Sequence, residues 1–363
     1  MKLIEIMFIL PDLRPDQEEY TVSMLLKYLP RNVFRPSVLL LNKGKHYYNL
    51  NTLREYVEVI DLQVGKIRNS LTVILRQIKK RNPDIVFCNA KELNVYFAYF
   101  SYFFPHTKFV TKMTEGFSRQ LFRRSLRFFY RFYNNYDKII IPSEDTRNDL
   151  IQTFKIEPRK LAKIHNSVDF DQMDNKFSDV LKPHFFDDEY KNIVTMGDSS
   201  STEGFEHLLQ VFKHLENEKV RLHILTDEIS KEKIQQAKNN LNLDNVIFHS
   251  TMSNSYACVK YSDLFILSSK CEDSVNTLLE AGCCGTYVLA DSKLNGLSEI
   301  IQPKVNGEML NIEKHESFAK QILESLYSDK SPELIRYSME NRFSKEKILK
   351  QYFDILEETY NIR

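Results

Sequence analysis

Short apolar runs that alternate with helical patterns constrain the fold of this 363-residue chain more than any other feature. Such runs in the first half are Leu3–Leu10, Ser37–Leu41, Val57–Leu62, Asp84–Phe87, Lys108–Lys112, Lys138–Ile141 and Leu161–Ile164. Those in the second half are Ile193–Met196, Arg221–Leu225, Val246–Phe248, Leu264–Leu267 and Tyr287–Ala290. Because helical patterns such as Asn69–Arg81, Glu144–Thr153 and Gly204–Leu215 lie between them, we predict parallel strands with crossover helices on both sheet faces.

The length and this alternation predict two Rossmann-like, doubly wound α/β lobes that face a central cleft. Residues 1–170 would form the first lobe and residues 190–340 the second, with the polar stretch Phe170–Glu189 as a linker. Residues 341–363 are expected to form a C-terminal helix that returns to the first lobe. One face of this helix carries Ile348, Tyr352, Ile355 and Leu356. Any chemistry is expected in the cleft.

The composition excludes several classes of protein. Hydrophobic residues make up 42% of the chain and charged residues 27%, which is typical of a globular protein. The net charge of +1 predicts no nucleic-acid partner. No apolar, uncharged run reaches about 18 residues, so no membrane span is expected. The five cysteines show no repeated ligand spacing, which favours a reducing cytoplasm over a disulfide framework or a zinc site.

The stretch 271–310 holds the most informative motif. Glu272 lies in a loop after the predicted strand Leu264–Leu267, and Ser274 is a suitable N-cap for a helix that carries Glu280. The N-terminus of a helix that follows a parallel strand offers free backbone N–H groups and a positive dipole end, and both favour phosphate. Glu280 is then placed to hold a ribose, and Glu272 to face a sugar.

An ordered set of motifs resembles the family 4 retaining glycosyltransferases, which have the GT-B fold. Glu272 and Glu280 are separated by seven residues, as in that family. The likeness covers roughly residues 137–310, and its other elements are Pro142–Glu144, Ile164–Asp169, Gly197–Phe212, Ala281–Val288, Gly296–Ile301 and Asn306–Gly307. The resemblance implies transfer of a sugar from a nucleotide-sugar donor to a glycan or lipid-linked acceptor with retention of configuration, as in polysaccharide biosynthesis.

The resemblance also implies roles for individual residues. Glu272 would contact the donor sugar as the catalytic glutamate, and Glu280 would hold the ribose. The rest of the donor site would comprise Ser274, Asn276, Thr277 and Gly197. Glu115, after a strand of the first lobe, is a candidate for acceptor contact. No metal or other cofactor is expected, because a helix dipole and side-chain cations can stabilise the leaving diphosphate.

Two acidic residues depart from the family pattern. Asp198 and Glu203 stand where the family has an arginine and a lysine that neutralise the diphosphate, and each would repel it by about 1–4 kcal/mol. Three explanations stay open: cations from elsewhere (Arg14, Lys270 or Lys293), a different donor, or an inactive site. The alternative hypothesis is therefore a non-catalytic partner or glycan-binding subunit. A nucleotide-sugar epimerase of the same fold has less motif support.

A basic and aromatic segment spans residues 119–136 and follows the aromatic-rich stretch Tyr96–Phe104. Its arginines are Arg119, Arg123, Arg124, Arg127 and Arg131. One interpretation is peripheral contact with anionic lipid, which would place a cytoplasmic protein at the inner face of the membrane. The other interpretations are an ordinary helix with a buried aromatic face and a protein-binding surface.

Overall fold

The computed structural model describes residues 2–11, 17–42, 53–64, 70–89, 91–113, 130–177, 180–197, 202–250, 255–268 and 274–361. The chain divides into two compact units. The first contains Met1–Ser167 and Glu346–Arg363, and the second contains Val168–Lys345. The second unit is thus one continuous segment, whereas the first is built from two.

The first unit is built on a parallel sheet whose seven strands have the order β3-β2-β1-β4-β5-β6-β7. The strands are β1 (Ile4–Leu10), β2 (Phe34–Asn42), β3 (Glu58–Val64), β4 (Ile85–Cys88), β5 (Lys108–Lys112), β6 (Lys138–Ile141) and β7 (Leu161–Lys163). Helices between them are α1 (Gln17–Tyr28), α2 (Leu71–Arg81), α3 (Lys91–Phe100) and α4 (Glu144–Phe154).

Alternate residues of β1 show that this sheet is covered on both faces. Ile6 and Phe8 belong to one buried cluster, and Met7 and Ile9 belong to the cluster on the opposite face. All four side chains are at most 1% exposed. Burial on both faces explains why the strands are nearly continuous apolar runs, as expected for a doubly wound sheet.

The second unit repeats this architecture with six strands in the order β10-β9-β8-β11-β12-β13. They are β8 (Lys191–Met196), β9 (Val220–Thr226), β10 (Val246–Ser250), β11 (Leu264–Leu267), β12 (Val288–Asp291) and β13 (Gly307–Leu310). The helices are α5 (Phe170–Phe177), α6 (Thr202–Lys213), α7 (Glu228–Leu241), α8 (Tyr256–Tyr261), α9 (Ser274–Cys283), α10 (His315–Tyr327) and α11 (Pro332–Phe343). The predicted fold class, two parallel-sheet Rossmann-like lobes, is confirmed.

Strand β13 was not predicted. It begins at Gly307. The dipeptide Asn306-Gly307 is typical of a turn, so the sequence did not indicate a strand here. The glycine is needed for packing, because an added Cβ at this position would lie 2.5 Å from the backbone oxygen of Val288 on β12. A dipeptide that is typical of a turn therefore starts an edge strand here.

The prediction of a linker over Phe170–Glu189 is wrong for its first half, which forms α5. Phe170, Met173 and Phe177 recur at helical spacing and are buried in a core cluster of the second unit, together with Phe186. The polar residues between them lie on the exposed side of the helix. The spacing of the apolar residues therefore indicates the observed helix, whereas the overall polarity of the segment had suggested a loop.

A final helix, α12 (Lys345–Asn361), completes the core of the first unit. Its buried side chains are Ile348, Leu349, Tyr352 and Leu356. The chain passes from one unit to the other at Ser167–Val168 and again at Lys345–Glu346. The Val168 N–H donates to the Phe343 oxygen at 2.9 Å, and the Lys345 N–H donates to the Val168 oxygen at 3.0 Å. The two crossing segments are therefore hydrogen bonded side by side.

Candidate nucleotide-binding site

Buried hydroxyl groups mark the carboxyl ends of three neighbouring strands in the second unit. Thr195 lies near the end of β8, Thr226 ends β9, and Ser268 follows β11. Each side chain is at most 4% exposed, and no hydrogen-bond partner for its hydroxyl lies among the described residues. Ligands of doubly wound folds bind outside the carboxyl ends of the strands. This edge of the sheet is polar where a polar ligand is expected.

Helix α9 begins at this same edge. It follows β11 and starts at Ser274, so the N–H groups of its first turn have no partner within the helix and carry partial positive charge. Asn276 in this turn is only 9% exposed, and Thr277 is half-buried. The arrangement suits an anionic group such as a phosphate. Glu272 lies outside the described residues, and so does the Ser274 side chain.

Glu280 occupies the second turn of α9 and is held by a tyrosine from α8. The Tyr256 hydroxyl donates a hydrogen bond of 3.1 Å to Oε1 of Glu280. The Tyr256 ring packs edge-on against Phe177, with 6.0 Å between centroids, and the Lys176 ammonium lies 4.9 Å from the ring centre. Burial, reinforced by the Glu280 charge, raises the pKa of Tyr256 well above its usual value. The phenol therefore stays protonated and fixes the carboxylate.

The two cysteines that follow Glu280 are unreactive by environment. Burial, with the nearby Glu280 charge, raises the pKa of Cys284 to about 12. Burial likewise raises the pKa of Cys283 well above its usual value. Since the thiolate is the nucleophilic form, neither side chain is a suitable nucleophile at neutral pH.

The structure describes one of the three candidate cations for the diphosphate, Lys293, and one of the two acidic residues that depart from the family pattern, Glu203. Gly197 directly follows β8, and its N–H donates to the Leu225 oxygen at 3.1 Å. Glu203 lies exposed in the first turn of α6. The Lys293 ammonium is hydrogen bonded to the Glu313 carboxylate, which, together with the charges of Asp291 and Glu203, raises the Lys293 pKa. Lys293 is thus already paired with an acid. Asp198, Arg14 and Lys270 lie outside the described residues.

A residue that the sequence did not single out lies at the carboxyl edge of the first unit's sheet. Lys112 ends β5 and is only 7% exposed. Its ammonium donates to Thr21 Oγ1 on α1 at 3.2 Å and to Asn166 Oδ1, after β7, at 3.3 Å. The only sequence signal was a lysine at the end of an otherwise buried strand. Glu115, the predicted acceptor residue, lies outside the described residues.

An exposed aromatic patch is formed by Tyr99 near the end of α3, by Tyr102 and Phe103 just after it, and by Phe132 in the described end of the arginine-rich segment. Tyr102 is 78% exposed and Phe103 59% exposed. Tyr99 packs edge-on against Phe132, and the Arg131 guanidinium lies 5.6 Å from the centre of the Phe132 ring. The arginines predicted to share this surface, but outside the described residues, are Arg119, Arg123, Arg124 and Arg127. In the described part of the chain, no helix is sufficiently long and apolar to span a membrane.

Two protein-family models match consecutive parts of the chain. The model for Glycosyltransferase Family 4 matches residues 19–172, and the model for Glycosyl transferases group 1 matches residues 177–344. The first match lies in the first unit apart from its last few residues, and the second match lies entirely within the second unit. Together they cover both lobes of the fold and include α9 with Glu280.

Two curated relatives are also glycosyltransferases by name. An uncharacterized glycosyltransferase of Methanocaldococcus jannaschii is 25% identical over 66% of this chain and 63% of its own length. An N-acetylgalactosaminyltransferase of Campylobacter jejuni, whose name specifies a diphospho-undecaprenol-linked acceptor, is 23% identical over 54% of this chain and 53% of its own length. The aligned region thus spans less than two thirds of either relative.

Solved structures share the whole fold. A glycosyltransferase from Rickettsia africae superimposes with a TM-score of 0.81 over 100% of both chains, at 19% identity. The Anabaena protein HepE in complex with UDP superimposes with a TM-score of 0.73 over 98% of this chain and 100% of its own, at 15% identity. At these identities the likeness concerns the fold alone.

Proposed function

We propose that this chain, which belongs to the GT-B glycosyltransferases of the group 1 and family 4 type, transfers a sugar from a nucleotide-sugar donor to a glycan or lipid-linked acceptor with retention of configuration. The observation that carries the proposal is the Glu280 carboxylate, held by Tyr256 on a helix whose N-terminus lies at the carboxyl edge of a parallel sheet.

The proposed roles of Glu280 and of the first-turn amides rest on the geometry of α9, and those of Gly197, Glu272 and Glu115 rest on the family resemblance. Glu280 accepts hydrogen bonds from the ribose of the nucleotide, because its carboxylate is fixed by Tyr256 one turn beyond the helix start. The first-turn amides, around Ser274, Asn276 and Thr277, bind the diphosphate. Gly197 permits close approach of the diphosphate to the backbone after β8. Glu272 orients the donor sugar, and Glu115 contacts the acceptor.

Leaving-group stabilisation is the main task of the protein in this reaction. Departure of the nucleoside diphosphate places negative charge at the start of α9, where the helix amides stabilise it. We propose that no metal ion or other cofactor takes part. Lys293 is already paired with Glu313, so the helix amides, with Arg14 or Lys270 as the remaining candidate cations, are proposed to provide this stabilisation.

Titration calorimetry with a panel of nucleotides and nucleotide sugars tests the donor site. UDP comes first, since the structurally similar HepE was crystallised with UDP. We expect saturable binding that Glu280→Ala weakens and that Glu299→Ala, in the same unit, leaves unchanged. If a folded protein binds none of the nucleotides, the donor site is refuted and the non-catalytic partner or glycan-binding role replaces it.

We propose that the lipid-linked acceptor is reached at a membrane surface on the cytoplasmic side. The name of the Campylobacter relative specifies a polyprenyl diphosphate acceptor. Exposed aromatic side chains with adjacent arginines suit the interface of an anionic bilayer. The aromatic patch with Arg131 is the described part of such a surface.

Flotation with phosphatidylglycerol vesicles and with phosphatidylcholine vesicles tests this contact. We expect the protein to float with the anionic vesicles and the double variant Tyr102→Ser, Phe103→Ser to lose this binding. Tyr327→Ser is the matched control, because Tyr327 is 67% exposed in the second unit. Equal flotation of the patch variant and the wild-type protein would show that the patch does not contact lipid.

A further inference from the structure

A cavity of about 710 Å³ opens at the amino edge of the first unit's sheet. It is lined by the starts of β1, β2 and β3, by residues 54–57, and by Arg81 at the end of α2. The amino ends of parallel strands lie opposite the carboxyl ends, at which Lys112 is buried. The cavity is therefore separate from the carboxyl edge of its own sheet, and its described lining residues all belong to the first unit, whereas the proposed donor site is built from residues of the second.

Among the described residues, four arginines and three glutamates line this cavity, and two of the arginines are paired with glutamates. Arg81 makes a bidentate pair with Glu58, with both N–O distances 2.8 Å. Arg35 lies 3.6 Å from the Glu5 carboxylate. These pairs belong to the wall of the cavity and leave no net charge.

The other two arginines, Arg31 and Arg54, have no carboxylate partner among the described residues. Arg31 donates to the Leu26 backbone oxygen at the end of α1, and its guanidinium lies 5.9 Å from the centre of the Tyr56 ring. Burial lowers the Arg31 pKa, yet a guanidinium remains cationic at neutral pH. Arg54 is exposed at the rim. One anchored cation and one free cation thus line the same cavity.

We propose that this cavity binds a phosphate dianion, free or as the phosphate group of a small organic molecule. The planar donors of the two guanidinium groups suit the oxygens of a phosphate, and with the exposed carboxylate of Glu55 the described lining keeps one excess positive charge. The volume exceeds what a phosphate alone fills and is typical of sites for small organic ligands. Phe34, Tyr56 and Val57 provide apolar wall for the remainder of such a molecule.

Calorimetry with inorganic phosphate and with phenyl phosphate tests the proposal on the full chain. We expect saturable binding that Arg54→Ala weakens about fivefold or more, which corresponds to about 1 kcal/mol. Arg54 has no partner in the described structure, so its removal should leave the fold unchanged. Arg159→Ala is the matched control, since Arg159 is an exposed arginine of the same unit, 81% accessible, and lies outside the cavity.

The two probes identify the source of the phosphate. Equal affinities would assign free phosphate as the ligand, and tighter binding of phenyl phosphate would assign a phosphate ester. An excess of UDP, the proposed donor-site ligand, should leave both affinities unchanged. Loss of phosphate binding in the presence of UDP would place the phosphate in the donor site and overturn the proposal. Absence of saturable binding, or equal weakening by Arg159→Ala, would overturn it as well, and neither of these two results affects the donor-site proposal tested with nucleotides.

Discussion

The hydroxyl group of Tyr256 and the carboxylate of Glu280 are 3.1 Å apart and connect α8 to α9. Tyr256→Phe removes the hydrogen bond without removing the ring that packs on Phe177. A hydrogen bond to a charged group contributes about 1.5–3 kcal/mol, so we expect nucleotide affinity to fall by about tenfold or more. Calorimetry with UDP measures the change. Tyr261→Phe, which loses a bond to the Val180 oxygen at an exposed site, should bind like the wild-type protein.

A histidine pair, of which His223 is buried and His249 half-buried, should make the second unit sensitive to acid. Asn192 Nδ2 donates to two backbone oxygens, so its Oδ1 faces His223 Nε2 at 3.0 Å and accepts from it. Nδ1 of His223 is then the acceptor for His249 Nε2, also at 3.0 Å. Burial, with the nearby His249 and Arg221, lowers the pKa of His223 to about 3.

The sign of the effect follows from the lowered pKa of His223. The unfolded chain takes up this proton near pH 6.5 and the folded chain does not, so stability is lost as the pH falls from about 6.5 toward 3. We expect a loss of about 2 kcal/mol between pH 6.5 and pH 5, measured by urea unfolding. His223→Gln should reduce this dependence, whereas His214→Gln, at an exposed position, should not. An undiminished dependence in His223→Gln would contradict the assignment.

Two buried tyrosines of the first unit should respond oppositely to loss of the hydroxyl. Tyr352 of α12 is fully buried, and its hydroxyl has no hydrogen-bond partner among the described residues. Tyr136 is equally buried, but its hydroxyl donates to the Asn94 oxygen at 2.7 Å. We expect Tyr352→Phe to raise the free energy of unfolding by about 1 kcal/mol and Tyr136→Phe to lower it by a similar amount. Urea titrations of both variants test the contrast, which fails if both shift in the same direction.

Gly285 should tolerate no side chain. Its φ of +75° lies in the left-handed region, and an added Cβ would lie 2.8 Å from the Pro332 oxygen at the start of α11. We expect Gly285→Ala to lower the free energy of unfolding by about 2 kcal/mol or more. Gly285→Asn separates the two causes, because asparagine adopts this conformation more readily but keeps the Cβ contact. Full stability of the asparagine variant would show that only the backbone conformation matters.

Local periodicity was sufficient to predict the fold class and most elements. The predicted helix Glu144–Thr153 is observed as Glu144–Phe154, with Ser143 as its N-cap, because capping and apolar spacing agree there. At α5 and β13 the two kinds of signal disagree. At α5, burial of Phe170, Met173 and Phe177 stabilises a helix although the residues between them are polar. At β13, a glycine is required at position 307 because the backbone of Val288, which is distant in sequence, lies too close for a side chain.

The candidate site was less predictable than the fold. Spacing identified Glu280 and the helix that carries it, but not Tyr256, which reaches Glu280 from a different helix. Lys293 suited a phosphate in sequence, yet Glu313, twenty residues later, holds its ammonium. Both relationships depend on side chains that tertiary structure brings together, and no pattern within one segment encodes them.

The division of the first unit into two chain segments also determines the order in which the protein can fold during synthesis. A ribosome completes Val168–Lys345 before it adds Glu346–Asn361, the rest of α12, so the core of the second unit can close first. The sheet of the first unit is synthesised earlier, but its core cluster is incomplete until α12 is added. Until then Phe8 and Phe34 lack the contribution of Tyr352 and Leu356 to that cluster. The first-made half of this protein is therefore the last to mature, and it is the half that a nascent-chain chaperone would need to protect.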